Sequence, residues 1–136
     1  MRNTLRIAGV SLLLAGLGFG TSVSASVDAS PAPGGVYWLK PGVYVARGSA
    51  CETAPNAAIR QYDGRGIATA HSRACKATVV ARKGSRYTVD QRCIDSGAGP
   101  GRSRVQRQQV VVRDALTFTQ ILQGAATTYR YCPAYQ

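Results

Sequence analysis

ACKATVVARKGSRYTVDQRCI, residues 74–94, reads as a long β-hairpin that turns at Lys83-Gly84-Ser85 and carries a cysteine near each end. A three-residue loop containing glycine is an accepted hairpin connection. It sets Arg82 against Arg86 and pairs Ala81 with Tyr87, Val79 with Val89, Ala77 with Gln91 and Cys75 with Cys93. Side chains alternate faces along a strand, so the residues from Ala81–Tyr87 to Cys75–Cys93 share one face. That face is mostly apolar. The other pairs Arg82 with Arg86, Val80 with Thr88, Thr78 with Asp90 and Lys76 with Arg92, and is polar and largely cationic. A slip of one residue would set apolar side chains against charged ones, which favours this register.

Directly opposed residues place their Cβ atoms about 4.5–5.5 Å apart, within a small backbone adjustment of a disulfide. The favoured pairing is therefore Cys75–Cys93, which leaves Cys51–Cys132. The rival is Cys51–Cys75 with Cys93–Cys132; four cysteines allow three connectivities.

The first residues have the form of a secretory signal. Arg2 and Arg6 supply the charged region, Ile7 to Phe19 the apolar run, and Val23-Ser24-Ala25 a small-x-small cleavage site. The expected division is a signal over 1–25, a flexible lead-in over 26–35 and one β domain over 36–136, with no transmembrane anchor in the mature chain. Export and an even cysteine count point to two structural disulfides in the periplasm or outside the cell. Without C-x-x-C and with a single histidine, neither a metal site nor a cofactor is expected. Loss of the signal removes Arg2 and Arg6 from the 17 basic residues, leaving 15 against six acids, a net +9. Such a balance favours anionic partners: an acidic polysaccharide, lipid head groups or an acidic protein.

Beyond the central hairpin the same rhythm continues. Val36–Leu39 and Val43–Ala46 are β-branched and aromatic around Pro41-Gly42, with Tyr37, Trp38 and Tyr44 expected to seed the core. Residues 48–56 read as loop. Asp63-Gly64-Arg65 marks a second hairpin. A third turns at Arg113-Asp114-Ala115, pairing Val112 with Leu116, Val110 with Phe118 and Gln108 with Gln120. Thr127–Cys132 reads as a last strand with Tyr129 and Tyr131 on one side. One short helix fits only after Gly48 or over Ala115–Gln123. Strands separated by turn signals at this spacing predict an all-β fold: a small antiparallel meander of about seven to nine strands closing into a barrel or sandwich.

Chemistry is sparse. His71-Ser72 lacks a strained nucleophile elbow and an evident oxyanion site. The acids fall mostly in turns or the lead-in, and no phosphate, dinucleotide or calcium loop occurs. The chain is therefore expected not to be an enzyme. The positive signal is a basic patch of Lys76, Arg82, Arg86 and Arg92 on one hairpin face, with Lys83 at the turn and Arg102 and Arg104 in the loop from Asp95 to Arg104. Guanidinium groups pair bidentately with phosphate and sulfate. The face has no interleaved aromatics for base stacking, so specific nucleic-acid recognition is not expected.

The layout resembles short exported four-cysteine β-domain proteins of Gram-negative bacteria, carried here by the signal, the aromatic-Gly opening strand, the four cysteines and Tyr129-Arg130-Tyr131-Cys132-Pro133. That resemblance implies an envelope β domain. Periplasmic lysozyme inhibitors are similar in size and class, but a +9 chain repels the basic enzymes they commonly block. Two functions are thus expected: a non-catalytic binding module using its basic hairpin face, or an inhibitor or immunity-type protein blocking a secreted hydrolase through the Asp95–Arg104 loop.

Overall fold

Residues 72–95 form the hairpin in the computed structural model, which describes residues 31–97 and 99–133. The expected signal peptide and the first part of the lead-in lie outside the described residues. The strands are β1 (Gly42–Ala46), β2 (Ile59–Tyr62), β3 (Ile67–Ala68), β4 (Ser72–Lys83), β5 (Arg86–Asp95), β6 (Ser103–Asp114), β7 (Thr117–Leu122) and β8 (Ala125–Tyr131), with a short 3₁₀ turn at Asn56–Ala58. All pair antiparallel in the order β3-β2-β1-β8-β7-β6-β5-β4. Because β1 pairs with β8, this is a meander closed on itself and open only at the seam between β3 and β4. Eight strands enclose an interior that side chains fill or that holds one small ligand.

The seam is stitched rather than laddered. Ala77 N–H donates to the Arg65 carbonyl at 2.8 Å. The Gln91 amide imitates a strand edge: its Oε1 accepts from Ile67 N–H at 2.7 Å and its Nε2 donates to the Ile67 carbonyl at 2.8 Å. Gly66 allows the approach, since a Cβ there would meet the Cys75 backbone at 2.7 Å.

The hairpin register holds for Lys76–Arg92, Ala77–Gln91, Thr78–Asp90 and Val79–Val89. Near the turn it does not. The loop has two residues, not three, with Gly84 at φ 58° in its first position, the backbone of a two-residue type II′ turn. Lys83 therefore opposes Arg86 and Arg82 opposes Tyr87, and a bulge between Val79 and Ala81 absorbs the extra residue. The expected Arg82–Arg86, Ala81–Tyr87 and Val80–Thr88 pairs are corrected accordingly, Thr88 now opposing Ala81. Val79 and Ala81, expected on the buried face, are exposed: Val79 lies where β4 is an unpaired sheet edge, and the bulge sets Ala81 opposite Thr88 on the outward face. Beyond Ala77 this stretch of β4 is a free sheet edge bearing Val79 and Val80, 42% and 51% exposed. The bulge, Arg82 and Lys83 are the usual protection of such an edge against strand addition.

The third hairpin is also corrected. Val112 pairs with Phe118 and Val110 with Gln120, two residues from the expected register. Asp114 Oδ1 accepts from Leu116 N–H at 2.8 Å and draws Leu116 into the turn, leaving it 46% exposed. An even shift preserves the faces, so Val110 and Phe118 remain buried.

One barrel end is plugged. Residues 34–39 fold across it as a turn closed by a Gly34–Leu39 bridge, and carry Tyr37 and Leu39 inward. Trp38, expected in the core, points out at 65% exposure; the turn gives its two inward positions to its neighbours. Tyr37 packs on the rings of Tyr62 and Tyr87 at 5.7 and 5.3 Å. Tyr44, Phe118 and Tyr129 continue the interior.

Both favoured disulfides are present, Cys75–Cys93 and Cys51–Cys132. The first sits where β4 bulges at Ala74, a residue at φ 49°. The second pins the loop after β1 against the barrel's outer wall, sealing a small second core of Val45, Cys51 and Cys132.

The β2–β3 turn supplies a pH-dependent brace. Burial opposes ionisation of Asp63, but bonds from Arg65 N–H, the Arg65 guanidinium and Gly66 N–H outweigh it and hold the carboxyl below its ordinary 3.8. A depressed folded-state pKa contributes stability above the unfolded value, and this is lost as pH falls through the folded value. Asp63→Asn, which keeps an acceptor for the turn, is expected to flatten the pH dependence of thermal unfolding below pH 3.8; an unchanged slope would remove Asp63 from the acid response.

Candidate functional site

The outward positions of β4, β5 and β6 carry the basic face. Lys76 lies directly opposite Arg92, and Lys83 directly opposite Arg86. Like charges so opposed destabilise a strand pair. Asp90 is the only carboxylate at outward positions of β4 and β5, and Arg107 on β6 has already engaged it, Nε and Nη2 each 2.7 Å from a carboxylate oxygen. That fork holds the exposed Asp90 carboxyl below its ordinary range. Arg86 donates to Gln109 at 2.7 Å and Arg92 to Ser103 at 3.3 Å, so both guanidiniums are steered along the sheet surface by neutral partners.

The structure divides the seven cations expected in one patch. Lys76, Lys83, Arg86 and Arg92 share the outer face. Arg82, turned by the bulge toward the side of Tyr87, lies over that ring at 4.6 Å. Arg102 belongs to the loop at the opposite end of the barrel from the plug. Arg104 opposes Cys93 on the inward side and pairs with Asp95 at 3.2 Å. Arg107 was not among the expected residues. Its signal was its period-two spacing with Val105 and Gln109 on the strand beside the hairpin.

The end opposite the plug is open and polar. A cavity of about 260 Å³ lies there, walled by Ile67, Leu122 and Cys93 and lined by Gln106, Gln108 and Gln120. His71 and Ser72 line it too; the Ser72 hydroxyl accepts from Thr69 N–H at 2.9 Å. Arg60, on β2, reaches inward and is half-buried. Its guanidinium lies over the Tyr129 ring at 4.7 Å, and its Nε donates to Gln120 at 2.9 Å. Burial lowers its pKa from the ordinary arginine value, and Tyr129 partly offsets this. Among the described residues no group of three or more His, Cys, Asp or Glu side chains converges as a metal site.

No protein-family model, curated protein or solved structure matches this chain.

Proposed function

We propose that the protein is a non-catalytic binding module of the periplasm or extracellular space that docks an acidic polysaccharide on the outward face of β4, β5 and β6. The supporting observation is the pair of directly opposed cations at each end of the hairpin, Lys76/Arg92 and Lys83/Arg86, with Asp90 already engaged by Arg107. Folding alone gains nothing from such pairs, whereas a sulfate or carboxylate between them turns repulsion into attraction. The charges extend from Arg86 to Arg92, roughly 20 Å at the usual rise per residue, which suits a polymer rather than one small ion. The outward positions hold no aromatic side chain for base stacking.

Heparin retention tests this reading. Lys76→Ser/Arg86→Ser/Arg92→Ser is expected to elute at much lower salt, and each lost contact to flatten the plot of log affinity against log salt by roughly 0.7–0.9, as for other polyanions. Arg82→Ser should change little. Asp90→Asn releases Arg107 and should raise the elution salt. Equal retention of the triple variant and the native protein would overturn the assignment. So would a stoichiometric, salt-insensitive complex with a hydrolase that survives the triple substitution.

A further inference from the structure

The cavity at the open end plays no part in docking a polymer on the outer wall, yet its polar groups are arranged with a direction. The arrangement starts at Arg60. A guanidinium has only donors, so Gln120 must turn its Oε1 to Arg60 Nε, at 2.9 Å. This fixes the Gln120 amide, whose Nε2 then donates to Gln108 Oε1 at 2.6 Å. Gln108 is fixed in turn, and its Nε2 has no hydrogen-bond partner among the described residues. Gln108 is 3% exposed and lines the cavity, so its unpaired donor is shielded from bulk solvent at the cavity wall. A buried unpaired donor costs about 1–3 kcal/mol.

Each bond in the series polarises the next in the same sense, from the cation toward the free N–H. The source of that polarisation is itself unneutralised: the other Arg60 bonds go to the carbonyls of Ala57 and Ile59, at 3.0 and 2.8 Å, and it makes no ion pair among the described residues. Gln106 lines the same cavity, as does Arg104, whose charge is shared with Asp95 at the rim. The cavity therefore offers one unpaired donor at the end of a chain that begins on a cation, beside the Arg104–Asp95 pair, with an apolar wall of Ile67 and Leu122.

We propose that this cavity binds a small carboxylate, one of whose oxygens accepts the free Gln108 Nε2–H while its apolar body lies against Ile67 and Leu122. At about 260 Å³ the space falls just under the range of drug-sized sites, about 300–1,000 Å³, which limits the ligand to the size of one acylated amino acid or one sugar acid. Both sources present the same carboxylate, and the test separates them.

The full mature protein, labelled with ¹⁵N, is titrated with N-acetylalanine and with glucuronate, each beside its uncharged counterpart, N-acetylalanine amide and glucose. The readout is the side-chain amide resonances of Gln108 and Gln120. At least one acid is expected to shift both amides and to bind at least ten-fold more tightly than its neutral counterpart; which acid does so identifies the source. Gln108→Glu keeps the acceptor for Gln120 but replaces the free donor with a charge, and should abolish the response. Arg104→Ser, at the exposed rim, should weaken it several-fold without disturbing the fold. Equal binding of charged and neutral forms, or Gln108 amides unmoved by all four compounds, would overturn the proposal and leave the donor to a buried water.

Discussion

Removal of the Cys51–Cys132 bridge by paired alanine substitution is expected to cost about 4–5 kcal/mol, from the chain entropy of an unfolded loop spanning a separation of 81 residues. Removal of Cys75–Cys93, spanning 18, should cost about 3 kcal/mol. A domain of this size has a net stability on the order of 5–15 kcal/mol, so the first loss takes a large share of it. The structure adds a local reason for the same ordering. Cys51 is the clamp that brings the loop after β1 over Val45 and Cys132, both fully buried against the outer wall. Arg130 supports that loop through the Ser49 carbonyl and contacts at the sulfurs. Cys75 and Cys93, by contrast, lie on adjacent strands already held by a long ladder. Urea denaturation of Cys51→Ala/Cys132→Ala and Cys75→Ala/Cys93→Ala decides it: the first should have the lower midpoint. The opposite order would mean that the bridge at the Ala74 bulge, not the loop clamp, governs stability.

The reading of residues 74–94 succeeded where one rule dominated and failed where two competed. Period-two alternation between Lys76 and Val79 is unambiguous, and with it came the Cys75–Cys93 pairing and the all-β class. Near Gly84 the turn chemistry has its own preference for a two-residue loop, and the strand accommodates it with a bulge that leaves no mark in the pattern of Val79-Val80-Ala81. The same conflict misplaced Leu116, where Asp114 closes a tighter turn than the hydrophobic pattern suggests. Trp38 went wrong for another reason: Val36–Leu39 has strand composition, but a turn crossing a barrel end obeys no alternation. The polar cavity did have a signal. Gln91 fell on the mostly apolar hairpin face, and Gln108 and Gln120 keep period two with the buried Val110 and Phe118; inward glutamines in a small barrel mark either a seam or a site. Gln91 is the seam, and Gln108 with Gln120 is the proposed site. Arg60 left a fainter trace, two residues before the inward Tyr62.

Tyr37 is the residue on which the plugged end depends, and two substitutions there should have opposite signs. Tyr37→Ala empties the space between the Tyr62 and Tyr87 rings beneath the turn, and is expected to cost about 3–5 kcal/mol, the usual range for aromatic truncation in a core. Tyr37→Phe is expected to be neutral or stabilising by up to about 1 kcal/mol. The Tyr37 hydroxyl is buried without a hydrogen-bond partner among the described residues, and burial drives its pKa far above the ordinary tyrosine value, so the group is desolvated without return. Tyr62 is the contrasting case. Its hydroxyl accepts from Tyr37 N–H at 3.0 Å and lies 2.7 Å from the Gly34 carbonyl, so Tyr62→Phe leaves a buried backbone N–H unpaired and should cost about 1–3 kcal/mol. Urea midpoints at constant m-value separate the three variants. If Tyr37→Phe destabilises as much as Tyr62→Phe, the Tyr37 hydroxyl has a partner, and the plug is held by two hydroxyls instead of one. The plug and the polar mouth lie at opposite ends of the barrel, so Tyr37→Phe should leave the Gln108 amide resonances where they are.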